Sequence, residues 1–213
     1  MDIKGSLTAA GFREFFSDIL RNDDERFAFA MDVRENRYKT KYENIFSFHV
    51  QKEIKVKIED VAPYYLDGDT QKAALDFAAY LQANKMPLKW DAWNTWKAHS
   101  KSKVLCWVKL DLWPAAWVVS PCVTNIDEYE DIVISEGWQS FVWDNFRRCD
   151  PSCLGKCAGA ERVTLLGKEF DDVCREVYFV NNKRVDFVNP DEPAISRIKK
   201  LLELERTARE KSV

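Results

Sequence analysis

An α+β fold is what this chain predicts, with mainly antiparallel sheet, flanking helices and a cysteine-rich C-terminal loop. Two observations carry that prediction. Segments with strand periodicity come in runs set between helical segments and do not alternate with them one for one, which disfavours a parallel sheet. The composition, 46% hydrophobic and 31% charged over 213 residues, is that of an ordinary globular protein with apolar surface enough for a core. No low-complexity linker interrupts it. A single α+β domain over 1–213 is therefore expected, with one break near 62–70, where Pro63, Gly68 and two aspartates dividing an N-terminal lobe (1–65) from a Trp- and Cys-rich lobe (70–213).

In order, "SLTAAGFREFFSDILRN" sets Leu7, Phe12, Phe15, Phe16, Ile19 and Leu20 near i, i+3, i+4 spacing and predicts a first helix. "RFAFAMDV", "KYENIFSFHV" and "EIKVKIEDV" predict three antiparallel strands, the last because Ile54, Val56 and Ile58 alternate with Lys55 and Lys57. "DGDTQKAALDFAAYLQANK" predicts a helix that stops before Pro87 and closes an αβββα unit. "WDAWNTWKAH" then predicts a short helix, and "KVLCWVKLDLW" with "AAWVVSPC" a hairpin around Pro114. "DEYEDIVISEGWQSFVWDNFRR" predicts one helix ending on two arginines. Short strands at "VTLLG", "EVYFVN" and "RVDFVN" precede a last helix. Pro193 suits its first turn, Ile195, Ile198, Leu201 and Leu202 form its stripe, and its polar tail "ELERTAREKSV" is expected to fray.

The charge balance, 32 basic against 35 acidic residues without a long like-charged block, gives no support to a nucleic-acid arm. The start has an acidic second residue and no apolar core before Arg13, unlike a secretory signal, and no apolar run approaches the roughly 20 residues of a membrane span. A cytoplasmic protein is expected, in a compartment where thiols stay reduced.

Against that expectation the segment "CDPSCLGKCAGAERVTLLGKEFDDVC" stands out. Cys149, Cys153 and Cys157 fall at every fourth position and Cys174 follows one strand later. Zinc takes four ligands in a tetrahedron, and thiolates from two local groups meet that demand with short loops. Asp150 and Pro151 suit the start of a helical turn, which sets Cys153 and Cys157 on one face. Arg147, Arg148, Lys156, Arg162 and Lys168 supply nearby cations. The spacing matches neither the C-x2-C knuckles of common zinc folds nor the bacterial iron–sulfur run, so a disulfide or redox pair and inert reduced thiols stay open beside a structural zinc site. Cys106 and Cys122 lie in apolar strands and read as small buried hydrophobes.

The order "LDFAAYLQANKMPLKW", "WKAHSKSKVLCWVKL", "SFVWDNFRRC", "TLLGKEFDDVC" and "VNPDEPAISRIKKLL" resembles an uncharacterised bacterial family of small proteins, from about Ala73 to Leu204. In that family a cysteine-rich loop precedes a GKEF-like segment, here Gly167 to Phe170, then a cysteine, here Cys174, and an Asn-Pro-Asp helix start, here Asn189 to Asp191. The resemblance implies no activity, substrate or cofactor. It implies only that the four cysteines belong together.

Trp90, Trp93 and Trp96 recur every third residue and on a helix share a broad face. With Trp107, Trp113 and Trp117 they frame an aromatic surface suited to a small planar ligand, oriented by Asn94 or Lys97. The competing reading is that the rings fill the core. His49 reads as a strand residue, His99 as a solvated helix end, and Glu169, Asp171 and Asp172 as a surface turn. No G-x-S-x-G elbow, phosphate loop or dinucleotide fingerprint is present. The expectation is a non-enzymatic module that binds or senses a small molecule and is braced by zinc, with an interaction protein presenting the cysteine loop, or a thiol-redox or zinc enzyme, as alternatives.

Overall fold

The computed structural model describes residues 48–111, 115–146, 148–149, 160–174 and 183–211. The expected first helix, the strand "RFAFAMDV" and the strand "EVYFVN" lie outside them. The fold is α+β, with helices beside antiparallel sheet.

Three helices open the described chain: α1 (Phe48–Ile54), α2 (Ile58–Tyr65) and α3 (Gly68–Ala83). The first two stand where strands were expected. Ile54, Val56 and Ile58 do alternate with lysines, but Ile54 is 60% exposed and Lys55 adopts φ 53°, which ends any extended run. The longer pattern decides the outcome. Ile58, Val61, Ala62 and Tyr65, all buried, fall at i, i+3, i+4 and i+7. Asp60 accepts a hydrogen bond from the Lys57 amide at 3.3 Å, and Glu59 and Asp60 occupy the first turn, where the helix dipole favours acids. Helix α3 forms as expected and buries Ala74, Phe77, Ala78 and Leu81.

The expected short helix at "WDAWNTWKAH" is instead a hairpin of β1 (Leu88–Ala92) and β2 (Thr95–Ser100). Trp90 pairs with Trp96 across it, and an irregularity between Trp90 and Ala92 absorbs one residue. Asn94 closes the turn at φ 48°, a left-handed conformation that asparagine tolerates better than most residues. The period of three thus arises from a bulge and a turn. His99 lies on β2, half-buried, and not at a helix end.

Strands β3 (Lys103–Asp111) and β4 (Ala116–Pro121) form where expected. A 3-10 turn (Ile126–Glu128) leads into α4 (Glu130–Ser135) and α5 (Gln139–Trp143). These two replace the one helix expected there because Gly137, at φ 67°, ends the first: its amide and that of Trp138 donate back to Ile134 and Val133. Strands β5 (Ala160–Leu165) and β6 (Lys168–Cys174) follow, joined by Leu166 and Gly167, both at positive φ, as a two-residue hairpin turn requires. Glu169, Asp171 and Asp172, expected in a surface turn, therefore lie on a strand. After β7 (Phe187–Val188) comes α6 (Glu192–Lys211), capped by Asp191, whose carboxylate accepts from the Ala194 amide at 2.8 Å. Its expected frayed tail is helical to Lys211, because Glu205 and Ala208 continue the buried stripe.

One sheet has the order β1-β2-β3-β4-β7 and the other is the β5-β6 pair. The chain forms two compact units. Among the described residues, the first contains those through His99 together with those of Val108–Val118, and the second contains Ser100–Trp107 and those from Val119 onward. The segment 62–70 lies inside the first unit. Among the described residues no helix is long and apolar enough to cross a membrane.

Candidate functional site

In the second unit the cysteine segment meets β6. Arg148 bridges Val173, and the Cys149 amide donates to the Asp172 carbonyl at 2.6 Å, so Cys149 stands directly across from Asp172. On the other flank of β6, Ala160 pairs with Cys174 and Glu161 with Val173. Strand β6 therefore carries partners on both sides at Val173. Side chains alternate along a strand, so Cys149, Asp172 and Cys174 share the face opposite Val173. The two cysteines are diagonal neighbours on that face, both half-buried.

A bulge explains how one short strand serves two surfaces. Register slips between Glu161 and Val163, so that Val163 pairs with Phe170 while Glu161 pairs with Val173. Phe170 and Val173, three apart, are both brought to the buried side, and Asp172 and Cys174 are left on the other. Aromatic and cationic contacts hold the buried side: Phe146 tilts against Phe170 at 5.7 Å, the Trp143 indole N–H donates to the Leu165 carbonyl at 2.9 Å, and Lys168 lies over Trp143 at 5.0 Å.

The ten residues between Cys149 and Ala160 carry Cys153 and Cys157, which lie outside the described residues. Among the described residues no group of three or more His, Cys, Asp or Glu side chains is placed to hold a metal ion. The described part contributes one pair, Cys149 and Cys174. Diagonal strand neighbours are about 7–8 Å apart at Cα, beyond comfortable disulfide reach. Two sulfurs on one zinc ion sit almost twice as far apart as two bonded sulfurs, which suits that separation better.

Cys106 and Cys122 are buried. Burial pushes the Cys122 thiol up to about 12, the Arg209 cation opposing it and the Glu205 carboxylate adding to it. In folded, metal-free protein at about pH 8, iodoacetamide should label Cys149 and Cys174 and spare Cys106 and Cys122 until denaturant is added. Peptide mass mapping reads the result.

The tryptophans divide. Trp96 and Trp117, each 1% exposed, fill the first unit's core: Trp96 donates its indole N–H to the Val56 carbonyl at 2.7 Å, and Trp117 packs on Phe77 at 5.8 Å. Trp107, also buried, belongs to the second unit, where the Arg184 guanidinium lies 4.8 Å over its ring. Trp90 and Trp93 keep part of their surface exposed. Phe48 tilts against Trp90 at 6.1 Å and the Lys55 ammonium sits 4.4 Å over its ring.

Beneath Trp90 lies a buried polar knot that periodicity did not reveal. The Gln51 side chain donates to Asn94 Oδ1 at 2.6 Å and accepts from the Asn94 amide at 2.8 Å and from the Trp90 indole at 3.2 Å. Asn94 Nδ2 donates to the Tyr65 hydroxyl at 2.7 Å. A second knot surrounds Glu205, 0% exposed, which accepts from the Tyr129 hydroxyl at 2.9 Å, the Asn125 amide at 3.1 Å and Arg209 Nε at 2.6 Å. Its sequence signal was available: Glu205 falls in phase with Ile198, Leu201 and Leu202, with Arg209 four residues on.

Comparison of the chain with protein-family models, curated proteins and solved structures gave no match.

Proposed function

We propose that this chain is a zinc-braced binding module. Cys149, Cys153, Cys157 and Cys174 hold one zinc ion that pins the segment entering the cysteine loop to the end of β6, and Trp90 and Trp93 of the first unit receive a small planar ligand. The observation that carries the metal reading is the register of β6, which sets Cys149 and Cys174 on one face across neighbouring strands, with the other two cysteines in the ten-residue connection between its flanks. Four thiolates fill a tetrahedron and leave no position open for substrate, so the role of this ion is structural and the module is not an enzyme through it. The reading also implies a reducing, cytoplasmic setting, since oxidation of the thiols removes the ligands.

The test is elemental analysis with thiol counting on protein purified reduced and without chelator. About one zinc per chain is expected, with four thiols protected until a chelator is added. Cys153→Ser should lose the metal and lower the unfolding temperature of the second unit. Absence of metal, or a Cys153→Ser variant that melts unchanged, would refute the structural role. The ligand reading is tested by the fluorescence of Trp90→Phe and Trp93→Phe variants against a panel of planar aromatic compounds: a response lost in these variants supports it, and one that persists assigns the site elsewhere.

A further inference from the structure

The polar groups expected to orient a ligand at the tryptophans are already engaged. The Trp90 indole N–H donates to Gln51 at 3.2 Å. Asn94, 2% exposed, spends its side chain on Gln51 and Tyr65. Lys97 lies 2.6 Å from Asp91 in an ion pair. A ligand meeting Trp90 must therefore find its polar partner elsewhere, and Lys55 supplies it. Its ammonium stands 4.4 Å over the Trp90 ring, the residue is exposed, and among the described residues no carboxylate pairs with it. The backbone sets it there. Lys55 follows the last turn of α1, its amide donating to the Gln51 carbonyl at 2.9 Å and its φ of 53° turning the chain out of the helix. Gln51 thus holds both pieces, the indole by its side chain and the lysine by its carbonyl.

We infer that the ligand received at Trp90 is a planar aromatic anion, such as an aromatic carboxylate, and that Lys55 selects its charge. This inference rests on the ligand half of the proposed function and is independent of the zinc reading. A cation over a water-exposed ring is held weakly, because water competes for its charge. An anionic group replaces that contact with a charge-assisted pair while the ring of the same molecule packs against the indole. Residues 52–57, "KEIKVK", add two more lysines against one glutamate, so the local field favours an anion although the whole chain carries a net charge of -3. A neutral ring of the same shape lacks the ion pair, and a cationic one must approach against like charge.

The experiment is a ligand-observed NMR titration of the full, reduced chain with three probes built on one ring: naphthoate, naphthamide and naphthylmethylammonium. Naphthoate should bind about fivefold tighter than naphthamide, the scale of one exposed ion pair, and the ammonium probe should bind weakest. Lys55→Gln should bring naphthoate down to the naphthamide level and leave naphthamide unchanged, while Lys55→Arg keeps the preference. Added salt should erode the naphthoate preference and leave naphthamide as it was. Trp90→Leu should weaken all three. If naphthamide binds as tightly as naphthoate through Trp90, or Lys55→Gln leaves the preference intact, the inference is overturned and the Trp90 site stands. If none of the probes binds, or Trp90→Leu binds them as before, the ligand reading and the inference fall together.

Discussion

Glu205→Ala should destabilise the second unit by about 3–5 kcal/mol, the range for removing one member of a buried ion pair. Four groups lose their partner at once: Arg209, the Tyr129 hydroxyl, the Asn125 amide and the Asn125 side chain, all of which bond the Glu205 carboxylate. Arg209 keeps its bonds to the Val104 carbonyl at 2.6 Å and to Thr124 at 3.2 Å, so its cation stays in place without its counter-charge. The cost is that of a stranded charge. For that reason Arg209→Met in the Glu205→Leu background should cost much less than Arg209→Met alone, because the second substitution then removes a liability. Urea unfolding of the four proteins in the cycle gives the coupling. Additive losses would show that the contact contributes nothing beyond its parts.

The helices were legible where one face carried an unbroken apolar stripe, as in α3 and the front of α6, and misread where a polar residue joined that face. Glu205 looked like solvated tail because charge is a surface signal; its burial depends on Asn125 and Tyr129, some eighty residues earlier, which no local window contains. The α1–α2 error has the opposite cause. Three alternating residues, Ile54 to Ile58, outweighed a four-residue helical stripe that began at the last of them, and Lys55 at positive φ breaks the alternating run just after Ile54. The Trp90–Trp96 spacing misled because a bulge and a turn together imitate a helical period. At the cysteine segment, spacing pointed to the residues but not to their neighbour. Asp172 shares the face of Cys174 by simple alternation, but its place across from Cys149 depends on the register between β6 and the segment at Arg148, which has no short sequence signature.

Gln51→Ala should cost the first unit about 2–6 kcal/mol, from two buried groups left without partners at about 1–3 kcal/mol each. Those groups are the Asn94 amide and Asn94 Oδ1; the Trp90 indole, half-buried, can turn to water and counts for little. Asn94 separates the chemistry of this knot from its backbone. Asn94→Gly keeps the left-handed turn and the amide bond to Gln51 while removing both side-chain contacts, so its loss measures the side chain's hydrogen bonds to Gln51 and Tyr65 less the relief of a residue held at φ 48°. Asn94→Ala removes the same contacts and retains the strain of a Cβ in that conformation. It should therefore be less stable than Asn94→Gly by about 1 kcal/mol. Denaturant unfolding of the three variants decides the matter: alanine and glycine of equal stability would mean that the turn relaxes out of its left-handed form, and a Gln51→Ala variant near wild type would mean that water replaces the amide at the centre of the knot. If both expectations hold, Trp90 rests on a rigid polar base, and a ligand meeting the part of its surface left open would find that surface already in place.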